Sequence, residues 1–236
     1  FIATKLALGY ALNEVVNIIT QETSANFEPA LDYVALKFPR WDLQKFQQVS
    51  TQLGSEMKSV GEVMSLGRSF EEVLQKAIRM LDVGMLGFIG NEMSFVDLDK
   101  ELSEPTDKRI FAIAIALKKG YSVDKIHDLT KITKWFLYKM KNIVDLENHL
   151  NNKKLNDVGK EFIRQLKKSG FSDLQIGNLT KTKELEVREY RKTLNVIPVV
   201  KQIDTMAAEF PAQTNYLYLT YHGVEDDISL GEKDQI

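Results

Sequence analysis

Between residues 97 and 194 the sequence repeats one arrangement: a Ser or Thr, an apolar run of helical period, then a glycine stop. Thr106 precedes Asp107–Lys118, whose Ile110, Ile113, Ala114 and Leu117 share one face, and Gly120 follows it. Ser122 precedes Val123–Leu129. Phe136, Met140, Ile143, Leu146 and Leu150 recur at steps of three and four, which predicts a longer helix. Asn156–Lys168 is another run, closed by Gly170, and Ser172 and Thr182 are placed to start the last two helices. A Ser or Thr oxygen satisfies the free amides of a first turn, and glycine takes the left-handed geometry that ends a helix. The arrangement therefore predicts an all-α unit.

Upstream the pattern is different. Glu56–Arg68 mixes charge, methionine and two glycines with no clean period. Two readings stay open: a segment that lines something, or a strand and turn before a core helix. Ser69 and Glu72 make a capping-box pattern, after which Val73, Leu74, Ala77, Ile78 and Leu81 fall on one helical face. Residues 1–19 read as helix broken near Gly9-Tyr10, and Thr20–Ala25 reads as loop. Leu31–Phe38 is rich in strand formers, with Pro39 as its expected end, and Trp41–Phe46 reads as a short helix or turn. Gly84, Gly87 and Gly90 mark an expected domain boundary at 82–95. After Pro198, Val199–Asp204 and Asn215–Tyr221 read as extended, with Tyr216, Tyr218 and Thr220 on the half-buried face of a strand. The tail from Val224 is acidic and expected to be mobile. The fold class is α+β, mainly helical, opened by an α/β piece.

Composition removes several kinds of chemistry. Cys is absent, so neither disulfides nor thiolate metal sites are available. A net charge of −2 provides no global attraction to nucleic acid or anionic membrane. No apolar run approaches the ~20 residues of a membrane span. Neither a Walker loop nor a dinucleotide fingerprint occurs, and no Ser/His/Asp set stands at a recognisable spacing. His127 and His149 fall in helical runs and His222 reads as a surface residue. Asp226-Asp227 is either a ligand pair for a hard cation or a solvated acidic tail. No catalytic residue and no metal ligand is assigned.

One pair of runs resembles a helix-turn-helix. Phe171–Ile176 starts a short helix, Leu179-Thr180 turns, and the next helix carries Lys183, Arg188, Arg191 and Lys192. Glu184, Glu186 and Glu189 on that same helix would repel phosphates, so no nucleic acid is expected as a partner.

Several stretches together resemble one family, the large (synthetase) component of carbamoyl-phosphate synthetase. They are Phe27-Glu28-Pro29, Leu31-Asp32-Tyr33, Lys37–Leu43, Met57–Met64, Gly67–Glu72, Lys134–Leu137, Gly170–Asp173, Val200–Thr205, Ala207–Glu209 and Asn215–Tyr221. The Pro-Arg-Trp-Asp-Leu and Ala-Gln-Thr-Asn-Tyr wording is similar to the eukaryotic multifunctional pyrimidine-pathway version.

The resemblance implies a placement within a longer polypeptide, as does an opening at Phe1 in mid-pattern. Residues 1–81 would end the first ATP-grasp half, which makes carboxyphosphate and then carbamate. Residues 82–222 would be the helical oligomerisation domain with an extended exit, and 223–236 a linker toward the second half. It implies ATP with Mg or Mn for the full enzyme, and none bound by these residues alone. Implied partners are the remaining synthetase halves, a glutaminase domain or subunit and further copies through the helical domain, in the cytoplasm and with no membrane. It also implies that Met57, Val60 and Glu62 line the internal passage for carbamate, and that Leu31 lines the ammonia route. An enclosed passage protects carbamate from water. A Glu able to exchange a proton would let carbamate pass as the neutral acid, and burial would favour that protonation. The rival reading is a free-standing helical scaffold or interaction module without catalysis.

Overall fold

A computed structural model of the protein describes residues 1–45, 48–203, 209 and 216–229. Phe46, Asp204, Asn215 and the tail 230–236 lie outside the described residues, so the expected turn at 41–46 and strands at 199–204 and 215–221 are described only in part. In chain order the elements are α1 (Ile2–Ala7), β1 (Val34–Arg40), β2 (Gly61–Gly67), α2 (Phe70–Met80), α3 (Leu98–Ser103), α4 (Arg109–Lys118), α5 (Val123–Thr130), α6 (Lys134–Leu150), α7 (Lys160–Lys168), α8 (Asp173–Thr180), α9 (Glu184–Thr193), β3 (Val199–Gln202) and β4 (Leu217–Thr220). The class is α+β. Two compact units form: Phe1–Val34 with Pro198–Ile236, and Ala35–Ile197.

The smaller unit joins the two ends of the chain. Gly9, at φ +95°, lets the chain turn away after α1, a geometry that side chains resist. β3 pairs antiparallel with β4, Val199 opposite Thr220 and Lys201 opposite Tyr218. Tyr218 and Thr220 point inward while Leu217 and Leu219 are exposed, so alternation holds, but Tyr216 is exposed rather than half-buried. The expected mobile tail is tied down at Asp226 and Asp227. Asp226 Oδ1 accepts from Val200 N at 2.7 Å, and Asp227 Oδ2 from Gln202 N at 3.0 Å. Asp227 Oδ1 meets Lys201 Nζ at 2.6 Å. Two acids read as ligands or solvated charge instead satisfy amides of a strand.

In the larger unit, α2 lies on β2 and packs against α6. Val73, Leu74, Ala77 and Ile78 are buried on the face the periodicity predicts. Ser69 Oγ accepts from Glu72 N as expected; the Glu72 carboxylate, however, reaches Arg68 N at 2.9 Å. β1 starts at Val34 rather than Leu31 and runs through Pro39 to Arg40. Its sheet has only two described strands, so both are edges, where a missing N–H costs no ladder bond.

The glycine segment after α2 is fixed in the core rather than free. Phe88 and Ile89 are 1% and 2% exposed. Phe88 N donates to Gln75 Oε1 at 3.0 Å, and Gln175 Nε2 donates to the same oxygen at 3.1 Å. Gly87 has φ +154°, and a Cβ there would stand 2.3 Å from Gln75 Oε1. Only glycine lets the backbone pass between the two glutamines.

The remaining helices contain a repeat that periodicity alone does not reveal. Leu117-Lys118-Lys119-Gly120-Tyr121-Ser122 leads into α5, and Leu166-Lys167-Lys168-Ser169-Gly170-Phe171-Ser172 leads into α8. Ser122 and Ser172 each cap their helix through the side-chain oxygen. Thr130 and Thr180 each return a hydroxyl to the fourth carbonyl before it, and Lys131 and Lys181 each close in the left-handed region. α6 packs against α2, α4, α5 and α8. Ile126, Leu137, Ile143, Leu150, Ile163 and Ile176 are fully buried in this unit, each contributing about 1.5–3 kcal/mol.

Several expected boundaries move. Asn156–Lys168 splits into a 3-10 turn at Leu155–Asp157 and α7. α4 starts at Arg109, with Thr106 Oγ1 accepting from Lys108 N. Thr182 bonds Thr180 by its hydroxyl instead of capping α9, and Glu186 reaches back to Lys183 N. Phe136 is exposed at its helix start, packed on Phe70 and Trp135.

Candidate functional site

Of the two readings of Glu56–Arg68, the strand and turn before a core helix is the local structure. Lys58 Nζ donates to Gln52 O at 2.8 Å and pairs with Glu56 at 3.2 Å, which fixes the incoming loop. Val60 N donates to Arg40 O at the end of β1. Along β2 the side chains alternate. Ser65 is buried, with its hydroxyl on Val73 O at 2.7 Å, and Gly67 packs against the Glu72 side chain. The other parity faces outward and carries Glu62 and Met64, with Val60 just before the strand.

The structure therefore brings Val60 and Glu62 to one exposed face. Met57 lies in the preceding loop, 91% exposed. Leu31 belongs to the smaller unit and is 54% exposed there. The Glu62 side chain is not buried as the proton-exchange reading requires; it is about half exposed and pairs with Lys37 Nζ at 2.9 Å. Lys37 and Met64 are the members of this face that sequence reasoning missed. The signal was strand parity: with Val60 and Glu62 chosen, Met64 follows at the same step of two.

The helix-turn-helix-like pair is α8 and α9. Arg188, Arg191 and Lys192 pair with acids of the same two helices. Arg191 is buried, and its Nε lies 3.1 and 3.0 Å from the two Asp173 oxygens. Arg188 pairs with Glu184 at 2.8 Å and Lys192 with Glu189 at 3.1 Å. Lys167 Nζ meets Asp173 Oδ1 at 2.7 Å with both side chains 6% exposed. Burial pulls the Lys167 ammonium down to about 8, against the attraction of Asp173. Burial pushes Asp173 up, but Lys167 and Arg191 more than offset it and hold the carboxyl below its usual range. Arg79, held by Gly170 O and Gln175 Oε1, is lowered by burial to about 10 and stays charged. This is a structural ion cluster joining α7, α8 and α9.

The described residues of the larger unit enclose several concavities. A cleft of about 320 Å³ is walled by Phe38, Trp41, Met85, Met93 and Phe111, with Lys108 among its lining residues. A shallower groove of about 570 Å³ runs along α6 and α7 past Asp145, His149 and Phe162. Met57, Val60 and Glu62 line neither. Among the described residues no group of three or more His, Asp or Glu could hold a metal ion. No helix among them is long and apolar enough to cross a membrane.

Fold and site together define a helical domain built from a duplicated helix–turn–helix pattern and entered through a strand–helix unit. The family profile for the carbamoyl-phosphate synthetase large chain, oligomerisation domain, matches residues 62–195, a span that takes in β2 and α2. The chain belongs to the carbamoyl-phosphate synthetase large-chain family. It is 53% identical to multifunctional protein pyr1-3 of Dictyostelium discoideum over 100% of its length. It is 55% identical to the mitochondrial, arginine-specific carbamoyl phosphate synthase large chain of Schizosaccharomyces pombe over 98%. Identity to multifunctional protein CAD of Squalus acanthias is 52% over 97%. The chain spans 11%, 20% and 10% of these relatives respectively.

Proposed function

We propose that this chain is a section of a synthetase that makes carbamoyl phosphate from bicarbonate, ammonia and two ATP, for pyrimidine or for arginine and urea synthesis. The observation that carries the proposal is likeness along almost the whole chain, at more than half identity, to proteins named for that activity or for the multifunctional pyrimidine assembly. A free-standing scaffold would have no need of the sequence through Phe27–Phe38 and Met57–Arg68. In this placement residues 1–81 end the first ATP-grasp half, 82–222 form the oligomerisation domain and 223–236 lead to the second half. The match beginning at residue 62 is in favour of β2 and α2 packing as one body with the helices they precede.

ATP and a divalent metal serve the whole enzyme. No nucleotide step is assigned to these residues. Their part is mechanical: a wall segment, a helical spacer and a surface for further copies, next to the other synthetase parts and a glutaminase domain or subunit. Cytoplasm is the proposed compartment, and cell fractionation tests it; the arginine-specific relatives include chains named mitochondrial and chains not so named.

Met57, Val60 and Glu62, with Leu31 on the ammonia route, are the proposed lining. The outward parity of Val60 and Glu62 supports that role, since the inward parity is filled by α2. The test is Glu62→Ala in the full-length enzyme. Carbamoyl phosphate formation is expected to fall while the separate ATP reactions of the two halves persist; equal loss of both overturns the passage role.

A further inference from the structure

We infer that Lys37 is a positioning residue for Glu62, holding its carboxylate to the wall and cancelling its charge toward an anion that passes. The inference rests on the passage reading above. Lys37 on β1 and Glu62 on β2 face each other across adjacent strands at 2.9 Å. Among the described residues neither side chain has another hydrogen-bond or ionic partner. The cation nearest to Glu62 in sequence, Lys58, is committed to Gln52 O and Glu56. The pairing is therefore specific: one lysine, brought by another strand, faces one glutamate.

The chemistry follows from charge. Carbamate is an anion near neutral pH, and a lone carboxylate in a water-poor passage would repel it, because repulsion grows as the local dielectric falls. An ammonium on that carboxylate makes the wall locally neutral. It also offers spare N–H donors, since an ammonium carries three and a single carboxylate oxygen at 2.9 Å uses one. Lys37 can thus hold Glu62 with one proton and turn another toward the carbamate oxygens, with no covalent step and no cofactor. Val60 and Met64, one step of two on either side of Glu62 along the chain, are apolar.

The experiment uses the full-length enzyme and reads coupling, the carbamoyl phosphate formed per ATP consumed. Each half's own ATP reaction is recorded beside it as a control for folding. Lys37→Met is expected to lower coupling severalfold. Lys37→Glu, which sets two carboxylates side by side, is expected to lower it on the order of tenfold. Lys37→Arg should keep most of the coupling, and Glu62→Lys added to Lys37→Glu should recover it, because the pair is restored with its ends exchanged. If Glu62→Ala loses carbamoyl phosphate formation and the separate ATP reactions equally, the passage reading falls and this inference with it. If Glu62→Ala uncouples while Lys37→Met and Lys37→Glu couple like the parent, the passage reading stands and the role of Lys37 is overturned. If Lys37→Arg is no better than Lys37→Met, a charge role is likewise overturned.

Discussion

Removing the charge of Asp173 should be among the most damaging conservative changes in this chain. Asp173→Asn keeps the shape but leaves Lys167 and Arg191 buried without their counter-ion. The strain already present can be read from Lys167. Its fall from the ordinary 10.5 to about 8 persists despite Asp173 at 2.7 Å. That difference is a net cost on the order of 3 kcal/mol for the charged form, after the attraction of Asp173 has been counted. Breaking a buried pair typically costs about 3–5 kcal/mol. Lys167 can limit the loss by giving up its proton, whereas Arg191 cannot. Urea unfolding at pH 7, followed by far-ultraviolet circular dichroism, should therefore show Asp173→Asn less stable by about 3 kcal/mol. In the parent chain the folded state releases the Lys167 proton near pH 8 and the unfolded state near 10.5. Between these values the unfolded state binds more protons, so this group's contribution rises with pH and is complete above 10.5. Lys167→Met should flatten that rise, because the group that titrates is gone, while Asp173 keeps Arg191 as its counter-ion. A loss below about 1 kcal/mol for Asp173→Asn, or an undiminished alkaline rise in Lys167→Met, would refute the reasoning.

Two further changes probe other parts of the fold. Gly87→Ala puts a Cβ 2.3 Å from Gln75 Oε1 and 2.7 Å from Gln175 Nε2 at a positive φ, so it must break a buried amide network. A loss of about 3 kcal/mol is expected in thermal unfolding, against under about 0.5 kcal/mol for Gly54→Ala, whose Cβ meets nothing. Asp227→Asn removes the anion on Lys201 and weakens the acceptor of Gln202 N, so hydrogen exchange at Gln202 should quicken by about tenfold. Unchanged exchange there would show that the acidic segment does not brace β3.

Much of the helical unit was legible because its signals are local. Ser69, Ser122 and Ser172 act within three residues of themselves, and each caps as its spacing predicts. The apolar face of α2 follows from periodicity alone. The failures also have local causes. Thr182 has the right chemistry for a cap, yet the left-handed turn at Lys181 brings its hydroxyl to Thr180. Pro39 reads as a strand end only while the strand is assumed to be interior; at an edge its missing donor is harmless.

The sequence by itself determined the starts of α2, α5 and α8, the family and the absence of thiol chemistry, since each is written in residue types at short spacing. Tertiary structure decided where charges go. Nothing in the order of residues says that Arg191 serves Asp173, that Asp227 braces β3, that Gly87 threads two glutamines, or that Lys37 faces Glu62. Those pairs join residues far apart in the chain, and the geometry that selects one partner over another exists only once strands and helices have packed.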